Sequence, residues 1–112
     1  MAQDFTRYIQ RATGTSAVTL FTSDSNDTVI SIRLANIVAT SITADVYITL
    51  ASESHANNYY FVKGISIPSS SSLELIDGAS RFVVQSGDAF KVVSDTASSL
   101  DTWVSVVDAI SA

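Results

Sequence analysis

Short runs of β-branched and aromatic residues, broken about every 8 to 12 residues by polar clusters, are the strongest constraint on the fold of this chain. This spacing is typical of a single all-β sandwich or barrel, in which each run is one strand. A helix would need apolar residues at i, i+3 and i+4 over about a dozen positions, and no window shows this. We therefore predict an all-β fold: a jelly-roll-like antiparallel sandwich of about eight strands over residues 15–112.

The alternation of apolar and polar residues within each run predicts strands at residues 17–22, 28–39, 42–50, 59–67, 73–76, 81–85, 89–94 and 100–110. Gly64 predicts a bulge and Gly87 a turn with positive φ. We expect two hairpins, one around residues 38–41 and one around residues 86–88. The predicted core is Ile30, Ile32, Leu34, Val46, Ile48, Leu50, Val92, Val104 and Val106.

Residues 1–14 alternate poorly and end at Gly14, so we predict an extended N-terminal arm that lies outside the sandwich. Phe5, Tyr8 and Ile9 need apolar surface to rest on, and Arg7 and Arg11 carry positive charge in an acidic protein. These features favour an assembly element that docks on a neighbour. A solvated tail fits the two charges equally well.

Composition limits the class of partner. The net charge of −5 argues against nucleic acid and anionic membranes, because both attract clustered Lys and Arg. Charged residues make up 15% of the chain, against about a quarter in an average domain, and Ser and Thr fill many polar positions. The sequence has no cysteine, no run of about 20 apolar residues and no signal-peptide pattern at its start. We expect a soluble protein made in the cytoplasm and packed in many copies.

Candidate chemistry is sparse. His55 is the only histidine, which argues against both a metal site and a catalytic triad, and no serine lies in a G-x-S-x-G turn. The acidic segment 23–27 lacks the Gly and terminal Glu of an EF-hand, so turn structure explains it better than calcium. Tyr47, Tyr59, Tyr60 and Trp103 could form a carbohydrate platform, but core or subunit contacts explain them better. We predict a non-enzyme without cofactor or metal.

Four segments stand out together: residues 14–17, Val62-Lys63 before Ile67-Pro68, residues 71–78, and above all GDAFKVVSDTASSLD at residues 87–101. In these segments the chain resembles a family of small virion structural proteins of tailed bacteriophages, of the marine and cyanobacterial type. The similarity spans nearly the whole chain. It implies a β-sandwich component present in many copies per particle, with no catalytic residues.

From the residues and the resemblance together we expect a virion protein made in the host cytoplasm, namely a capsid decoration or cement subunit. Its partners would be further copies of itself, with a trimer favoured, and the major capsid protein or tail and neck components. The alternative is a tail, neck or fibre module that binds a receptor or glycan. A small hydrolase that depends on His55 is a further rival. The expected partner-binding residues are Phe5, Arg7, Tyr8, Arg11, Tyr59 and Tyr60.

Overall fold

A computed structural model describes residues 4–23, 27–75 and 82–108, and within these ranges the chain forms nine β-strands and one short 3-10 turn. The strands are β1 (Asp4–Thr13), β2 (Val18–Thr22), β3 (Asp27–Asn36), β4 (Ile42–Thr49), β5 (Tyr59–Ile67), β6 (Ser72–Glu74), β7 (Phe82–Val84), β8 (Ala89–Ser94) and β9 (Leu100–Asp108). The 3-10 turn, Ala51–Glu53, follows β4. The predicted strands at residues 59–67 and 89–94 have the bounds of β5 and β8, and where the other predicted ends lie in the described ranges they differ by at most three residues.

Two antiparallel sheets form the sandwich, which confirms the predicted fold class. Sheet A has the order β1-β9-β3-β6, with the short β7 also paired to β3. Sheet B has the order β2-β8-β4-β5. The edge strands β1 and β2 contact each other, so β5 lies on the same side of the sandwich as β6 and β7. The two sides of the molecule are therefore built from different strands.

The core lies between the inner faces of the two sheets, and alternation predicted most of it. Six of the predicted core residues are fully buried, namely Ile32, Leu34, Val46, Val92, Val104 and Val106. Aromatic rings join the core to the β1 side, because Tyr8 stacks on Phe21 with centroids 4.2 Å apart and Phe21 stacks on Phe90 at 5.4 Å. A stack of three aromatic rings thus closes the core on the β1 side of the sandwich.

Three predicted core residues are only partly buried. The β3–β9 register shifts between Val29 and Ser31, and the resulting bulge leaves Ile30 on the outer surface while Val29 is fully buried. Ile48 packs against the margin of the core. Leu50 lies outside β4, at the start of the 3-10 turn. The period of two is broken at each strand end and bulge, which is where the prediction is wrong.

Both predicted hairpins are wrong. The strands around residues 38–41 belong to different sheets, since β3 lies in sheet A and β4 in sheet B. The strands around residues 86–88 also separate, because β7 pairs with β3 and β8 pairs with β2 and β4. Alternation shows which face of a strand is buried, but it does not show which strand lies beside it. The predicted positive φ of Gly87 is present at 89°, and a Cβ there would lie 2.6 Å from the Cβ of Ala51.

The predicted arm is a strand of the sandwich. From Asp4 to Gln10, β1 pairs continuously with β9, and the register shifts only between Gln10 and Thr13. Ala12 at φ 52° makes this irregularity, and its backbone N–H donates to Asp101 Oδ1 at 2.8 Å. The alternation of apolar and polar residues is weak in residues 4–13 because β1 turns few apolar side chains inward. Residues 4–13 therefore belong to sheet A as its edge strand.

Candidate assembly surfaces

Large apolar side chains are exposed at eight positions of the described residues, and seven of these fall into two clusters. An antiparallel register places paired residues on the same face of a sheet, so the strand pairings show which side chains are neighbours. We call the clusters the β1–β9 patch and the β5–β7 patch. Ile37 is the exposed residue that belongs to neither cluster.

The β1–β9 patch lies on the outer face of sheet A, on strands β1 and β9 alone, and consists of Phe5, Ile9 and Trp103 with the cations Arg7 and Arg11. Phe5 is 77% exposed, Trp103 50% and Ile9 44%. Ile9 pairs directly with Trp103 across the β1–β9 ladder. The odd-numbered residues of β1 from Phe5 to Arg11 are exposed, so apolar and cationic side chains alternate along one line, whereas Thr13, beyond the irregularity at Ala12, is buried. Aromatic residues and arginine are enriched at the centres of protein interfaces.

A shallow hollow of about 350 Å³ lies beside this line, lined by Phe5, Arg7, Ile30 and Ser105 among others. It forms because the bulge in β3 raises Ile30 on one side and β1 raises Phe5 on the other, while the small Ser105 of β9 lies between them. A protruding side chain of a partner could enter this hollow.

The charge of the β1–β9 patch is positive. Neither Arg7 nor Arg11 makes an ion pair among the described residues. Arg33 lies next to Trp103 in the ladder, but its charge is matched by Glu74, which accepts from Arg33 Nη2 at 2.7 Å. Asp101 at the end of the patch offsets part of the positive charge. The patch is thus a cationic, aromatic surface on an acidic protein.

The β5–β7 patch lies at the open side of the sandwich and consists of Tyr59, Tyr60, Phe61 and Val83 with the anion Glu53. Val83 of sheet A and the β5 residues of sheet B line an apolar cleft of about 310 Å³, together with Ile48. Val83 is 55% exposed, and the three aromatic residues are between 38% and 44% exposed. Aromatic side chains therefore line the cleft between the two sheets.

Glu53 is fixed within this patch. The Tyr59 hydroxyl donates to both carboxylate oxygens of Glu53, at 2.7 and 2.9 Å, and Asn57 Nδ2 donates to Oε1 at 3.3 Å. This hydrogen bond to a carboxylate favours the protonated phenol, so it raises the pKa of Tyr59 above its usual 10.0. The carboxylate remains partly exposed to solvent beside the aromatic rings.

Tyr60 points to the outer face of sheet B and is already in contact with three side chains, one of which is Asn58, whose Nδ2 donates to the Tyr60 hydroxyl at 3.4 Å. Lys63 Nζ lies 4.5 Å from the ring centroid, and Tyr47 packs against the ring at a tilt of 49°. The same Lys63 lies 4.0 Å from Asp45, so the two charges offset each other. Lys63 occupies a face of the ring, which weakens the case for a carbohydrate platform at Tyr60.

The structure therefore separates the predicted partner-binding residues. Phe5, Arg7 and Arg11 are exposed in the β1–β9 patch, and Tyr59 and Tyr60 lie in the β5–β7 patch. Tyr8 instead faces inward, because its even position in β1 turns it toward the core, where it stacks on Phe21. Phe61, Val83 and Glu53 were not predicted to bind a partner, while Trp103 was expected in a core or subunit contact and Ile9 on apolar surface, without either being named as a partner-binding residue. Strand pairing brings Ile9 beside Trp103, whereas Phe61 and Val83 meet because β5 and β7 of different sheets lie at the same side of the sandwich, and no motif in the sequence marks either arrangement.

The described residues contain no group of three or more His, Asp and Glu side chains placed to hold a metal ion. His55 is exposed in the loop after β4, and its Nδ1 lies 2.8 Å from Thr49 Oγ1. Of the acidic segment 23–27, residues 24–26 lie outside the described ranges, while Asp27 is buried and accepts from Ser23 Oγ at 2.9 Å. In the described part of the chain there is no helix of the length and apolar character that a membrane span requires.

No family model matches the chain, and no curated protein does either. Among solved structures, the chain is similar to one from Bacillus endospore appendages, which are described as a novel family of disulfide-linked pili. That superposition has a TM-score of 0.56 at 15% identity and covers 98% of this chain and 88% of the other. The similarity shows a shared β fold over nearly the full length. It does not confirm the resemblance to phage structural proteins, which stays an expectation.

Proposed function

We propose that this chain is a non-catalytic structural subunit that assembles in many copies with itself. The observation that carries the proposal is the division of its exposed apolar surface into two patches on opposite sides of the sandwich. Exposed aromatic clusters of this kind mark interaction sites on soluble proteins. Two separate clusters let one subunit contact two neighbours at once.

The fold comparison supports the same class of function. The similar solved chain comes from pili, which are assemblies of repeated subunits, and its fold covers nearly all of the present chain. That family is described as disulfide-linked, whereas the present sequence has no cysteine. Contacts between copies of this chain would therefore depend on packing, hydrogen bonds and charge.

For the setting we propose the virion of a tailed bacteriophage, with the chain as a decoration or cement subunit on the head. The sequence resemblance over residues 87–101 and the other matching segments supports this setting. The major capsid protein would then be the second partner. A weak contact repeated over a closed shell gives large total stability, so each patch can be small.

Purified phage particles that encode this chain provide the test. Image reconstruction should locate the sandwich in many copies on the outer surface of the head. Location on the tail, neck or fibres would overturn the decoration role and favour the alternative module, for which a glycan-binding assay is the next step. Absence from particles altogether would overturn the virion setting.

A further inference from the structure

We propose that the β1–β9 patch of one copy docks on the β5–β7 patch of the next copy, so that subunits join head to tail. This inference rests on the proposed structural role and names the partner of each patch. The occupant of the β1–β9 patch is a second copy of this chain, and the contact joins two different surfaces.

The charges of the two patches are complementary. The β1–β9 patch offers Arg7 and Arg11, which make no ion pair among the described residues. The β5–β7 patch offers Glu53, whose carboxylate is oriented by Tyr59 and Asn57. Lys63 adds little positive charge there, because Asp45 lies beside it. A guanidinium that reaches the Glu53 carboxylate would form a charge-assisted hydrogen bond at the margin of an apolar contact.

Like-charge repulsion disfavours the symmetric alternative. Two β1–β9 patches placed face to face would bring Arg7 and Arg11 of both copies into one partly desolvated interface. Such like-charge contacts strongly disfavour association in protein interfaces. The overall charge of −5 points the same way, since a second copy is on average an acidic partner for a cationic patch.

The positions of the patches make the head-to-tail contact repeatable. The β1–β9 patch is carried by the β1 side of sheet A, and the β5–β7 patch by the opposite side of the sandwich. A subunit engaged through one patch therefore keeps the other patch free. Such a heterologous contact closes into a ring when its rotation divides a full turn, and otherwise grows into a filament. The trimer expected from the sequence would be a ring of this type.

Charge reversal tests the contact, with Arg7→Glu on one patch and Glu53→Lys on the other. Each single variant should weaken self-association by at least about tenfold in Kd, because it places like charges together. Lys91→Glu is the matched control, since Lys91 lies on the outer side of sheet B opposite Tyr47 and outside both patches. It makes the same change in net charge as Arg7→Glu and should leave the Kd within about threefold of the wild-type value.

Mixing the two single variants separates this contact from a symmetric one. An equimolar mixture should associate again, because the unchanged β1–β9 patch of Glu53→Lys can bind the unchanged β5–β7 patch of Arg7→Glu. The double variant should also associate. Circular dichroism on each variant checks that the fold is retained.

The outcomes distinguish the two proposals. A wild-type protein that never associates would overturn the structural role together with this contact. Association that is unaffected by both charge reversals, or affected by only one of them, would overturn the head-to-tail contact and leave the structural role standing. The head-to-tail contact would also be overturned if the mixture fails to associate while both single variants are folded and dissociated.

Discussion

Ile9 and Trp103 lie directly opposite each other in the β1–β9 ladder, and about half of each residue is exposed. In an antiparallel pair such opposed side chains are in contact, so they form one apolar surface. A sandwich that faces solvent on its outer side normally places polar residues there. We therefore expect a partner to cover the exposed pair.

Trp103 is the only tryptophan of the chain, so its fluorescence reports on this surface alone. We predict that its emission maximum moves to shorter wavelengths as protein concentration rises, because association removes water from the indole. The Arg7→Glu variant should need a higher concentration for the same shift. An unchanged spectrum across the range in which the protein associates would show that the β1–β9 patch is not the contact.

Tyr8 and Phe5 lie in the same strand but face opposite sides, which makes them a matched pair. Tyr8→Ala should lower the free energy of unfolding by about 1–3 kcal/mol, because it removes the ring that stacks on Phe21. Phe5→Ala should change it by less than about 0.5 kcal/mol, since that side chain is 77% exposed. Urea denaturation of the two variants measures both values. Equal small effects would mean that β1 does not stabilise the sandwich.

Leu34 and Ile30 test the bulge in β3 in the same way. Leu34→Ala should cost about 2–5 kcal/mol because its side chain is fully buried. Ile30→Ala should cost clearly less, since the bulge turns Ile30 outward. The same denaturation measurement applies, and a larger loss for Ile30 than for Leu34 would contradict the observed register.

The hydrogen bond between Tyr59 and Glu53 predicts a titration difference. The pKa of Tyr59 should lie above 10.0, because its hydroxyl donates to the Glu53 carboxylate, and Glu53→Gln should lower it. Ultraviolet difference titration in comparison with the wild type measures the change, with Asn58→Ala as a control that leaves Glu53 in place. A Tyr59 pKa that is unaffected by Glu53→Gln would show that the two side chains are not hydrogen-bonded to each other.

Periodicity was sufficient to predict the strands and most of the core, because burial of one sheet face imposes a period of two on the sequence. It failed at Ile30, where a bulge interrupts that period. It also failed for β1, whose inward residues Thr6, Tyr8 and Gln10 include a single apolar ring. Strand order could not be predicted, since the pairing of β3 with β9 joins segments distant in sequence.

The candidate surfaces were predictable only in part. Phe5, Arg7, Tyr59 and Tyr60 stand out in the sequence, because aromatic and cationic residues fall in an arm or beside a long loop. Trp103 joins Ile9 through the strand order, and Val83 joins Tyr59 only because β7 and β5 lie at the same side of the sandwich. The division into two opposite patches thus depends on topology, which local sequence does not encode.

Self-association is the central claim, and sedimentation velocity over a wide concentration range measures it most directly. The account predicts that the wild-type chain forms discrete species larger than a monomer as concentration rises, and that Arg7→Glu and Glu53→Lys shift this transition to higher concentration. A wild-type chain that sediments as a monomer throughout the accessible range would contradict the account.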